Sequence, residues 1–104
     1  MERLDCEALG AKVASEGITV VEFGAGWCKY CLKMKDEMNL FEKAHNDIKF
    51  IYVDTNEFES VAVEYNVTFL PGLLFFKNGI LVKATHGYKK FEQLEEMLKE
   101  VNEQ

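Results

Sequence analysis

An α/β fold is predicted, with a central mixed β-sheet of four to five strands flanked by four helices. Apolar, β-rich runs at 18–25 and 48–53 alternate with segments of helical period. Alternation of this kind needs right-handed crossovers and a parallel core sheet covered on both faces. Asn78-Gly79, set between two further β-rich runs, is a strong hairpin signal and adds an antiparallel edge. The chain has 104 residues and no linker, repeat or low-complexity stretch, so residues 1–104 are expected to form one domain.

The elements follow in order. Met1–Leu4 gives weak support to a short first strand. Leu4–Glu16 reads as a helix, with Asp5 as its cap, Cys6, Leu9 and Val13 on one face, and Gly17 at its end. Ile18–Ala25 is almost wholly apolar, as a strand buried on both faces must be. Cys31, Met34, Met38 and Phe41 recur at steps of three and four, which makes the segment from Cys28 to His45 an amphipathic helix. Ile48–Val53 is a second buried strand. Asn56 and Glu59 resemble a capping box for a short helix through Val61–Tyr65. Leu73–Lys77 and Ile80–Thr85 form the hairpin around Asn78-Gly79, and Phe91, Leu94, Leu98 and Val101 mark one face of a last helix.

Composition excludes several kinds of function. An apolar fraction of 48% is too high for a disordered chain. No stretch approaches the roughly 18 apolar residues of a membrane span. Twelve basic against eighteen acidic residues give a net charge of −6, which repels phosphate backbones and anionic lipid, so neither nucleic acid nor membrane is an expected partner. The opening Met1-Glu2-Arg3-Leu4-Asp5-Cys6 lacks the pattern of a secretory leader. Three cysteines are too few for a disulfide-stapled secreted scaffold. Both features point to a reducing, cytoplasmic setting.

Cys28-Lys29-Tyr30-Cys31 stands where a strand hands over to a helix. A spacing of three puts both sulfurs on one side of the first turn, close enough for a small disulfide ring. The helix N-terminus offers unpaired N–H groups and partial positive charge, which favours thiolate at Cys28, the form that attacks disulfides. Cys31 aligns with Met34 and Met38 and is expected to be the more buried, resolving thiol. Glu22 lies among Val20, Val21 and Phe23; a buried carboxyl there would have a raised pKa and could exchange a proton with Cys31 through water. Trp27 and Tyr30 fall on the rim of the strand–helix turn and suit substrate contact. Lys29 adds charge beside Cys28. A zinc site would need two further ligands, and His45 and His86 stand apart with no second cysteine pair, so no metal is expected. Cys6, on an apolar helix face, reads as a small core residue.

Phe23-Gly24-Ala25-Gly26-Trp27-Cys28-Lys29-Tyr30-Cys31 resembles the active-site segment of the thioredoxin family. Phe69-Leu70-Pro71-Gly72 with the strand and hairpin after it resembles that family's cis-proline loop, and Gly87 matches a glycine of its substrate groove. The resemblance extends over nearly the whole chain and implies a thioredoxin fold. It also implies a thiol–disulfide oxidoreductase that reduces protein disulfides, serving electron transport and cell redox homeostasis. Pro71 would be cis, and the backbone of Leu70 would pair with a bound substrate chain. The protein would be a monomer with no bound cofactor beyond a reversible Cys28–Cys31 disulfide. A flavoprotein of the thioredoxin reductase kind would recycle it; the chain has no dinucleotide fingerprint of its own.

Four departures mark this chain. Lys29-Tyr30 replaces the usual Gly-Pro between the cysteines, Glu22 stands for a buried aspartate, Gly24 for an aromatic, and Asp36 for a helix-kinking proline. Tyr30 is also a glutaredoxin-like trait, which leaves a glutathione-linked reductase as an alternative. A non-enzymatic binding module on the same fold is another. Against the first, no basic cluster or Thr-Val-Pro run precedes Pro71; against the second stand two intact cysteines.

Overall fold

Seven consecutive buried residues make β2 (Ile18–Gly24) the strand around which the sheet is built. The computed structural model describes residues 1–104. In chain order the elements are β1 (Glu2–Arg3), α1 (Leu9–Lys12), β2, α2 (Lys29–Ala44), β3 (Lys49–Asp54), α3 (Glu59–Glu64), β4 (Gly72–Lys77), β5 (Ile80–His86) and α4 (Phe91–Asn102). The strand order is β1-β3-β2-β4-β5. β3 runs parallel to both β1 and β2, whereas β4 is antiparallel to β2 and to β5. This is the mixed sheet of five strands and four helices that the sequence predicts.

Alternation along β2 sends its side chains to two cores. Val21 and Phe23 join Ile51, Val53, Leu74 and Phe76 under α1 and α3. Val20 joins Phe50, Leu73, Phe75 and the buried faces of α2 and α4, among them Met34, Met38, Phe41, Leu94 and Leu98. The two outer helices of that second layer are tied together. Glu37 of α2 accepts the N–H of Phe91 at the start of α4 at 2.7 Å, and His45 Nε2 lies 2.6 Å from Glu95 Oε1.

Two local readings need correction. The helix expected over Leu4–Glu16 is only one turn long. The N–H of Leu4 is drawn into the sheet by the carbonyl of Tyr52 at 2.8 Å, so the chain stays extended where the periodicity predicted a helix. Asp5 therefore caps nothing, Cys6 lies before the helix and is half-buried rather than a core residue, Gly17 lies beyond the helix end, and α1 starts after Ala8. Asn56 does not cap α3, which begins after Phe58; its N–H is taken by Asp54 Oδ1 at 2.9 Å in a local turn. The weakly supported first strand exists, as a two-residue edge beside β3.

Candidate active site

β2 ends inside the sheet, so the chain must turn at once to lay α2 across one face. The turn Ala25-Gly26-Trp27 brings Cys28 to the N-cap of α2, with extended backbone (φ −83°, ψ 111°). Its Sγ accepts the N–H of Cys31 at 3.1 Å, the role an oxygen cap would otherwise fill. Cys28 and Cys31 are joined as a disulfide, with Cα atoms 5.2 Å apart.

Cys31 is not the more buried of the two: Cys28 is 6% exposed and Cys31 8%. Leu70, from the loop before β4, packs against the small buried cluster of Ala25, Cys28 and Cys31. The sulfurs differ in outlook instead. Cys28 lines an open groove with Trp27, Lys29, Tyr30, Phe69 and Leu70. Cys31 lines a separate cavity of about 380 Å³ with Glu22, Tyr52 and Lys35.

Trp27 and Tyr30 are exposed on the groove rim, as expected, at 71% and 53%. Trp27 is steadied by its indole N–H, which donates to Asn56 Oδ1 at 3.2 Å. Lys29 is exposed at the first position of α2. The Leu70–Pro71 peptide is cis. Pro71 is buried and, like Gly87, does not line the groove itself. Its carbonyl accepts the N–H of Gly87 at 2.8 Å, which ties the end of β5 to the loop, and Gly87 holds a φ of +91° that few L residues adopt.

Glu22 is 6% exposed and faces the α2 side of the sheet. Burial pushes its carboxyl up to about 7. No cluster of three or more His, Cys, Asp or Glu side chains is arranged to hold a metal ion. Two features escaped the sequence reading. Phe69 stacks on His86, with ring centroids 5.1 Å apart, and extends the apolar wall by the cis-proline loop. Tyr52 enters the Glu22 cavity; only the pairing of β3 with β2, which neither strand reveals alone, could have placed it there.

A cis-proline loop packed against a disulfide at a helix N-cap, on a five-stranded mixed sheet, invites comparison with known proteins. The family model for thioredoxin matches residues 2–100. The chain belongs to the thioredoxin family. It is 35% identical to thioredoxin of Gallus gallus over 88 residues, covering 85% of this chain and 83% of that protein. It is 34% identical to thioredoxin of Ovis aries over 95 residues, 91% of this chain and 88% of that one. Among solved structures, thioredoxin of Fasciola hepatica superposes with a TM-score of 0.83 at 28% identity, covering 96% of this chain and 98% of that one. Oxidised mitochondrial thioredoxin 3 of Saccharomyces cerevisiae gives 0.86 at 25% identity, over 96% and 94%. As a member of the thioredoxin family with its cysteine pair intact, the protein is a thiol–disulfide oxidoreductase that reduces protein disulfides through Cys28-Lys29-Tyr30-Cys31. Tyr30 is then a departure within the thioredoxins rather than a mark of a glutaredoxin.

Proposed function

We propose that Cys28 is the attacking thiol, Cys31 the resolving thiol and Glu22 the base that serves Cys31. The observation that carries this assignment is the split outlook of the pair, Cys28 toward the open groove and Cys31 toward the cavity that holds Glu22. The reduced protein attacks with Cys28 as thiolate, favoured by the free N–H groups at the start of α2. One substrate sulfur leaves as a thiolate and takes a proton from water, and a mixed disulfide with Cys28 remains. Cys31 then gives its thiol proton to the Glu22 carboxylate and attacks Cys28 Sγ. The second substrate sulfur departs and is protonated in turn. Two electrons and two protons have moved to the substrate, and the Cys28–Cys31 disulfide is the oxidised product.

Trp27, Lys29, Tyr30 and Leu70 are the substrate contacts in this reading, with Pro71 and Gly87 shaping the loop that presents Leu70. Electrons return from a flavoprotein reductase drawing on a nicotinamide cofactor, and the protein works as a monomer in the cytoplasm. Its place in electron transport and redox homeostasis follows from that cycle. The family membership and the lack of any dinucleotide fingerprint support an external reductase.

The test is a pair of single variants. Cys28→Ser should abolish disulfide reduction. Cys31→Ser should leave a protein that captures its substrates covalently through Cys28, released by dithiothreitol and identifiable by mass spectrometry. Faster alkylation of Cys31 than of Cys28 near neutral pH would reverse the assignment. Fractionation of the source cells addresses the compartment, and turnover with a flavoprotein thioredoxin reductase and its nicotinamide donor addresses recycling.

A further inference from the structure

Glu22 and Tyr52 stand directly opposite each other on the parallel strands β2 and β3. Side chains in register on neighbouring strands share a face, so the phenol and the carboxyl project to the same α2-covered side. The next β2 position on that face is Gly24, which has no side chain to fill the space beside Tyr52. Here the space is taken from the side. A Cβ built on Gly24 would stand 2.8 Å from the Tyr52 hydroxyl and 3.4 Å from Cys31 Sγ. Tyr52, Glu22 and Cys31 also line one cavity. The ring is held in place: Arg3 lies over it at 5.3 Å, and the Arg3 guanidinium is anchored on Asp54 Oδ2 at 3.0 Å.

We infer that Tyr52 is a positioning residue of the resolving step, its hydroxyl ordering the water that connects the Glu22 carboxyl to the Cys31 sulfur across the cavity they share. The inference rests on the reading of Glu22 as the base for Cys31. The Cys31 thiol proton passes through cavity water to the phenol oxygen while the phenol's own proton passes, likewise through water, to the Glu22 carboxylate. The phenol is regenerated and no electron moves in this exchange. A hydroxyl both donates and accepts, which a carboxylate and a thiol cannot do for each other across a gap. The phenol must stay neutral to serve. Burial, then Glu22 and Asp54, push its pKa up, with Arg3 acting in the opposite sense. The remaining charged groups around the cavity are Lys35 of α2 and the Met1 amine, which is engaged by Glu42 at 2.6 Å.

The experiment is a single-turnover measurement of substrate release between pH 5.5 and 8.5, with insulin as the disulfide substrate. It compares Tyr52→Phe, Gly24→Ala, Glu22→Gln and the double variant Y52F/E22Q, each checked for native circular dichroism. Tyr52→Phe keeps the ring and should slow release about tenfold and displace its pH midpoint, less than the roughly 10²–10⁴-fold of a full general acid–base group because Glu22 and the cavity water remain. Gly24→Ala keeps the phenol but sets a methyl against its oxygen, and should reproduce that loss. Adding Y52F to E22Q should cost less than about twofold more, because the two act in one relay. Slow release in Glu22→Gln with a wild-type rate and pH profile in Tyr52→Phe overturns the role of Tyr52 and leaves Glu22 standing. Unchanged release in Glu22→Gln overturns the Glu22 reading itself, and the relay with it. Losses that multiply fully in the double variant overturn the link between the two residues.

Discussion

Glu22 is 6% exposed and its carboxyl is pushed by burial from an ordinary 4.5 to about 7. Between those two values the folded protein holds a proton that the unfolded chain has already released. Stability therefore falls as pH climbs from 4.5 to about 7, by on the order of 3 kcal/mol, and levels off above. Glu22→Gln should remove that slope, matching the parent near pH 4.5 and exceeding it by up to about 3 kcal/mol at pH 8. Urea denaturation across that range checks it, and a parent curve as flat as the variant's would show that folding does not perturb the carboxyl. Lys29 acts on the other sulfur. Lys29 follows Cys28 at the first position of α2; positive charge there is expected to favour a thiolate that exists only in the reduced protein, which would make the pair a stronger oxidant. Lys29→Gly should make the potential more negative by up to about 1 kcal/mol or about 20 mV, given its exposure, and Lys29→Glu should do so by more and raise the Cys28 pKa. The shift should shrink in high salt. A Cys28 pKa unmoved in that variant would mean that solvent screens the charge fully. Glu22 was legible in the sequence because Val20, its neighbour on the same face, is apolar. Tyr52 was not, because its partner across the sheet is set by register.

Asn78 and Gly79 turn the β4–β5 hairpin with φ values of 54° and 83°. Asn78 also stitches that hairpin to the loop before β2: its N–H donates to the Gly17 carbonyl at 2.8 Å, and its Oδ1 accepts the Gly17 N–H at 2.8 Å. Asn78→Ala loses the side-chain bond and puts a residue intolerant of positive φ in the turn, for a cost of about 2 kcal/mol. Asn78→Gly loses only the bond and should cost about half as much. Equal losses in chemical denaturation would mean that the backbone conformation contributes nothing. The hairpin, β2 and α2 could be read from sequence because their signals are local: a turn dipeptide, an apolar run, a helical period. The length of α1 could not. Leu4 obeys a hydrogen bond to Tyr52, 48 positions along the chain, and no helical periodicity registers that. The start of α3 failed for a similar reason at shorter range, with Asp54 claiming the Asn56 N–H.

At the scale of the whole molecule, the strand order β1-β3-β2-β4-β5 leaves the central strand waiting for its second neighbour. β2 ends at Gly24 and its antiparallel partner β4 begins at Gly72. Pairings between strands so far apart in sequence must close a long loop before they are rewarded, which makes them slow. The loop that covers the cysteines, Phe69-Leu70-Pro71, arrives with β4. At a synthesis rate of about 5–20 residues per second, both thiols therefore leave the ribosome seconds before the segment that shelters them. Cys6 has emerged earlier still. What distinguishes the right pairing in that interval is contour length alone. Cys28 and Cys31 are neighbours on one helical turn, whereas Cys6 must close a far longer loop to reach either. The choice of partner is thus written into a segment four residues long, and when a substrate disulfide takes the two electrons the pair needs no sheet to direct it.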